Sequence, residues 1–137
     1  MTPDQKELVI RSWAQVKVIG EQAAELFYKK LFELDPSLKR LFHSDMADQG
    51  KRLIVMIDAA INKLDDIPAL IPVLEQLGKR HHEYGVKNTD YETVASALIW
   101  TLAQGLGDAF TKDVKKAWVI VYSLIAQTMK NTKSMAA

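Results

Sequence analysis

The sequence predicts an all-α domain of about seven unequal helices, and three observations carry that reading. Apolar residues recur at steps of three and four along most of the chain, the spacing that gathers them on one face of a 3.6-residue helix. Helix-start signals stand at the heads of those stripes. Six glycines and four prolines are sparse punctuation for 137 residues, whereas a domain of strands needs a turn about every 8–12 residues. A chain of this size fits one domain around one core, here residues 1–137.

The elements follow in order. Thr2-Pro3-Asp4-Gln5 is a capping box with proline at the first helical position, and it opens a helix over 3–19. Gly20 divides that pattern from a second helix over 21–34. Asp35-Pro36 opens a short helix over 36–41. Leu53, Met56, Ile57, Ala60, Ile61 and Leu64 form the stripe of a helix over 46–64. Ile67-Pro68 and Pro72 read as breakers, so the next helix is placed over 72–84, with Gly85 as its stop. Thr89-Asp90-Tyr91-Glu92 reads as a second capping box, opening 90–107 with the stripe Tyr91, Val94, Ala95, Leu98, Leu102 and Leu106. Thr111 and Asp113 open the last helix, 112–131, whose stripe runs Val114, Ala117, Trp118, Val121, Tyr122, Ile125 and Met129.

Composition removes whole classes of function. Eighteen basic and 17 acidic side chains leave a net charge of +1, so there is no basic field for nucleic acid or for a membrane surface. Cysteine is absent, which excludes disulfides, thiolate zinc sites, iron–sulfur clusters and a cysteine nucleophile. No apolar stretch approaches the ~20 residues of a membrane span. The N-terminus lacks a signal core, so a cytoplasmic location is expected. Gly105-Leu106-Gly107 follows a helix and is no dinucleotide loop. No serine sits in a nucleophile elbow, and no histidine spacing suits zinc.

Three polar residues are turned inward by helical spacing. Leu70, Leu74, Leu77 and His81 fall on one apolar face, whereas His82 lies over Glu75 and Lys79 on the polar one. Gln49 heads the stripe that continues through Leu53, and Tyr28 lies between Ala24 and Leu31. Each alone reads more readily as a hydrogen-bonded core group than as a ligand. An imidazole, a phenol and an amide directed inward from three helices point together to a polar site in an apolar pocket.

The ordered landmarks resemble the globin family over essentially the whole chain. They are Trp13, then Phe32 with Asp35-Pro36, and Phe42 six residues after that proline. Leu77-Gly78-Lys79-Arg80-His81 and Gly85-Val86-Lys87 follow, then Ala117-Trp118 with Tyr122. The pattern is similar to bacterial single-domain globins and to the globin domain of flavohaemoglobins, with a neuroglobin-like segment around Leu77 to Val86. The resemblance implies a globin fold enclosing haem b (iron protoporphyrin IX). It implies that His81 is the proximal iron ligand and that Phe42 packs on the porphyrin. Tyr28 and Gln49 would be the distal ligand-binding pair, with Leu53 one turn beyond Gln49. Val86, Tyr91, Val94 and Tyr122 would line the pocket, and Arg52 and Lys87 would meet the haem propionates.

The implied function is reversible binding of O2, with CO and NO as further small ligands. Dioxygen on ferrous haem carries negative charge, and a phenol O–H and an amide N–H both donate toward it. Each such bond contributes about 1.5–3 kcal/mol, so two imply tight O2 binding. Tyr28 with Gln49 and Leu53 is also the flavohaemoglobin combination, which implies nitric oxide dioxygenase activity. The chain has no flavin module, so that activity would need a separate reductase. It also has Thr132-Lys133 where flavohaemoglobins carry a glutamate, which disfavours peroxidase-like O–O cleavage. There is no distal histidine, and a second histidine ligand would have to be His43. The alternatives are a gas-sensing globin that signals through a partner protein and a haem-free helical interaction module.

Overall fold

A computed structural model describes residues 1–42 and 45–136, with side chains up to Asn131 in the last helix. The regular secondary structure of the described residues is all helical, with no strand. Six α-helices are α1 (Pro3–Val18), α2 (Gly20–Leu34), α3 (Met46–Asn62), α4 (Ile67–Glu83), α5 (Asn88–Leu106) and α6 (Lys112–Ala136). Two 3-10 helices, Pro36–Leu41 and Gly107–Ala109, lie between them. All seven helices expected from the sequence are present, the 36–41 segment as a 3-10 helix.

Local chemistry accounts for the starts. Thr2 and Gln5 exchange the two bonds of a capping box, with Pro3 at the first helical position. Asp35 accepts the Ser37 N–H, and Thr111 accepts that of Val114. Three boundaries differ from the expectation. Helix α4 begins at Ile67, five residues before the predicted 72, because Asp66 caps it and Pro68 falls in the first turn, where an amide has no helical partner anyway. Pro72 sits inside the helix and forfeits one bond without ending it. Helix α5 begins at Asn88 and not at 90: the carboxylate of Asp90, not the Thr89 hydroxyl, is the capping acceptor, and it takes the Lys87 N–H at 2.9 Å. Helix α6 runs to Ala136, past the predicted 131.

The helices pack as crossed pairs: α4 on α6, α2 on α5, α1 on α6 and α2 on α3. Two crossings are close because a glycine lies at each. A Cβ on Gly50 would stand 3.0 Å from the Ala24 Cβ, drawing α2 and α3 together. A Cβ on Gly78 would stand 2.5 Å from the Met129 carbonyl oxygen, so only glycine lets α4 approach α6 at this distance. Val9, Trp13, Val16, Leu64, Leu70, Leu74, Leu102, Trp118 and Val121 form the larger apolar core. Its two indoles are anchored across the fold. Trp118 Nε1 donates to Ser12 Oγ at 2.8 Å, and Ser12 in turn donates to the Leu8 carbonyl. Trp13 Nε1 donates to Asp58 at 2.9 Å, and Lys17 pairs with the same carboxylate. Buried indole N–H groups need such acceptors.

Candidate functional site: an apolar cavity with one inward imidazole

A cavity of about 170 Å³ opens between α3, α4, α5 and α6. Its wall is apolar: Phe27 from α2, Leu53, Met56, Ile57 and Ile61 from α3, Leu74 and Leu77 from α4, Leu98 from α5, and Ile125 and Met129 from α6. The polar exceptions are His81, Asp90, Tyr91 and Tyr122, with the Trp118 indole already bonded to Ser12.

His81 is half-buried on this wall, and His82, one residue on, is exposed. The Nδ1 of His81 lies 2.8 Å from the Leu77 carbonyl, one turn back on α4. A carbonyl can only accept, so Nδ1 carries the proton and donates. Nε2 is then left with its lone pair. Burial holds the imidazole below the usual histidine pKa, with the Leu77 bond opposing. A neutral imidazole with its second nitrogen fixed by a carbonyl is the form in which histidine ligates a metal.

The turn after α4 is sharp. Gly85 adopts φ of 93°, a left-handed conformation that favours glycine. It carries the chain around so that Val86 joins the cavity wall, and Leu41 of the 3-10 helix packs over it. Also on the wall, Tyr122 donates its hydroxyl to the Tyr91 carbonyl at 2.7 Å. Burial raises the pKa of both phenols, so they remain protonated.

Of the residues singled out in the sequence, Leu53, His81, Val86, Tyr91, Val94 and Tyr122 line the cavity. Tyr28, Phe42, Gln49, Arg52 and Lys87 do not. Tyr28 is buried in an adjoining aromatic cluster, its ring 5.1 Å from Phe27, 6.0 Å from Phe32 and 5.3 Å from Phe42. That cluster shares Phe27, Leu53, Val94 and Leu98 with the cavity wall. Burial raises the Tyr28 pKa, and the Gln49 side chain opposes the rise. Arg52 and Lys87 are exposed, each next in sequence to a wall residue, Leu53 and Val86. His43 lies outside the described residues. Sequence reasoning passed over Asp90 as a wall residue. Its signal was available, since Asp90, Val94, Ala97 and Thr101 follow one another at steps of four, three and four.

Among the described residues no cluster of three or more metal-ligating side chains occurs. No helix among them is long and apolar enough to cross a membrane.

Comparison with known proteins bears on this arrangement. The model of the globin family matches residues 25–129. The neuroglobin of Chaenocephalus aceratus is 30% identical, over 90% of this chain and 87% of that protein. Neuroglobin-2 of Oncorhynchus mykiss is 29% identical, over 94% of this chain and 90% of its own length. Among solved structures, a hexacoordinated haem protein from an anhydrobiotic tardigrade superposes with a TM-score of 0.87 at 21% identity, covering 96% of this chain and 94% of that one.

Proposed function

Because the chain belongs to the globin family, we propose that it binds haem b in the cavity and uses it to bind O2 reversibly with high affinity. The observation that carries this reading is His81, a neutral imidazole on an apolar wall with Nδ1 committed to Leu77. The residues fit the group. The wall is apolar enough to take a porphyrin face, one nitrogen is available as an axial ligand, and exposed Arg52 and Lys87 flank the wall where two carboxylates could meet water and cations together. Haem would supply an iron able to bind a diatomic ligand.

The chain's own residues then set affinity. Tyr28 supplies an O–H beside Phe27, Phe32 and Phe42, and Gln49 supplies an N–H. Two donors favour a ligand whose outer atom carries negative charge over one that does not. The raised pKa of Tyr28 keeps its proton available for donation. Tyr28 with Gln49 and Leu53 is the flavohaemoglobin-type combination, and it extends the proposal to oxidation of NO to nitrate with electrons from a separate reductase. The other reading, a gas sensor that signals through a partner protein, shares the cavity and differs only in what binds outside it.

The test is ligand release from the haem-loaded protein. Tyr28→Phe keeps the ring and removes the hydroxyl, so O2 should leave about 10- to 100-fold faster, the equivalent of ~1.5–3 kcal/mol. Gln49→Leu should act in the same direction. CO release should change far less in both. Unchanged O2 release in Tyr28→Phe, or an equal change for CO, refutes the donor role.

A further inference from the structure

One acidic residue lines the cavity. Asp90 is 7% exposed and heads the inner stripe of α5. Its Oδ2 accepts the Lys87 N–H, which starts the helix. That task needs an acceptor and not a charge, since asparagine or serine would serve as well. Asp90 lies in the first turn of α5, where the free N–H groups of the helix favour a negative charge, and it forms no ion pair among the described residues. Among the described residues no lysine or arginine lines the cavity. The Lys87 side chain is exposed, and the Lys130 ammonium lies over the Tyr91 ring at 5.5 Å. Among the described residues the other ionisable groups on the wall are His81, held toward its neutral form, and the protonated phenols of Tyr91 and Tyr122. The charge of Asp90 therefore acts on whatever occupies the cavity, through a medium of low polarity.

We infer that Asp90 is the selectivity residue of the cavity, disfavouring anionic ligands while leaving neutral diatomic ligands unaffected. The inference rests on the haem reading above. It also assigns Asp90 an influence on the bound group: a fixed negative charge stabilises the ferric state over the ferrous and so lowers the reduction potential. Two unit charges about 10 Å apart at an effective dielectric of ~20 change a binding constant by roughly tenfold. That sets the size of effect to expect.

The experiment compares the haem-loaded wild type with Asp90→Asn, Asp90→Ser and Asp90→Glu at fixed pH and ionic strength. Azide affinity of the ferric form, CO affinity of the ferrous form and the reduction potential are read for each. Asparagine and serine both keep an acceptor for the Lys87 N–H, so either folded variant suffices. Azide should bind about tenfold more tightly in Asp90→Asn and Asp90→Ser and return toward the wild-type value in Asp90→Glu. CO affinity should stay within about twofold, and the potential should rise in the two uncharged variants. A purely structural role would move azide and CO together, and that result overturns the inference, as does unchanged azide affinity. A wild-type chain that takes up no haem overturns both this inference and the reading beneath it, whereas normal uptake with unaltered azide binding overturns this inference alone.

Discussion

Replacing Gly78 by alanine tests how the helix that carries His81 is seated. In an exposed helix interior this change stabilises by about 1 kcal/mol, through helix propensity and the entropy of the unfolded chain. Here the added Cβ would meet Met129 at 2.5 Å from its carbonyl oxygen, 2.7 Å from its Cα and 2.9 Å from its carbonyl carbon. These are backbone atoms of α6 and cannot rotate aside. Overpacking costs about 1–3 kcal/mol where side chains can adjust, and this contact belongs at or above the upper end. Offset by the propensity gain, the net loss is about 2 kcal/mol. For a chain of this length that lowers the melting temperature by roughly 6–10 °C. The control is Gly105→Ala, whose Cβ would make ordinary contacts with Ile19 at 3.6 Å and Val16 at 3.7 Å. That variant should be as stable as wild type or more so, by up to ~1 kcal/mol. Urea denaturation of the haem-free protein, followed by circular dichroism, reads both differences. If Gly78→Ala is as stable as Gly105→Ala, α4 does not lie against α6 as described, and the placement of His81 loses its support.

Further outcomes follow from individual contacts. Ser12→Ala removes the acceptor of the buried Trp118 N–H and should cost about 1–3 kcal/mol in the same denaturation experiment. Asp58→Ala removes the acceptor of Trp13 together with the Lys17 ion pair, and a similar loss of about 1–3 kcal/mol is expected, most of it from the stranded indole. Asp58 is held below the usual carboxylate pKa by its bonds to Trp13 and Lys17, so its contribution should persist above pH ~4 and fade as the pH falls below it. His81, whose pKa is lowered by burial, behaves in the same sense at higher pH. The unfolded chain binds its proton first, so stability of the haem-free protein should fall as the pH drops below ~6.5, and His81→Leu should flatten that slope in a pH series of denaturation curves.

The helices were legible because each announces itself locally, by an apolar stripe and a capping residue. The errors came from residues with two readings. Pro68 and Pro72 read as breakers, yet proline near the start of a helix costs few or none of its bonds, and α4 runs through both. Thr89 and Asp90 are both good capping residues, and only three-dimensional geometry shows that the carboxylate reaches back to Lys87. In the site, His81 and His82 could be told apart because facing follows from spacing alone. Tyr28 and Gln49 were turned inward by the same argument. That Tyr28 falls in an aromatic cluster beside the cavity depends on how α2 packs against its neighbours, which no local pattern encodes. The same holds for Ser12 and Trp118, 106 residues apart. Ser12 does interrupt the stripe of Val9, Trp13 and Val16, and a hydroxyl on an apolar face signals a buried partner without naming it.

The central claim is that His81 ligates haem in this cavity, and haem uptake by three proteins tests it most directly. Wild type, His81→Ala and His82→Ala are titrated with haem and followed by the Soret absorbance and by the rate of haem transfer to a scavenging protein. Wild type and His82→Ala should bind one equivalent with the same spectrum and retain it alike, since His82 points to solvent. His81→Ala should lose most of its haem and, with it, the stability that a ligand bound only by the folded state confers. Equal retention in the two variants, or no uptake by wild type, would contradict the account.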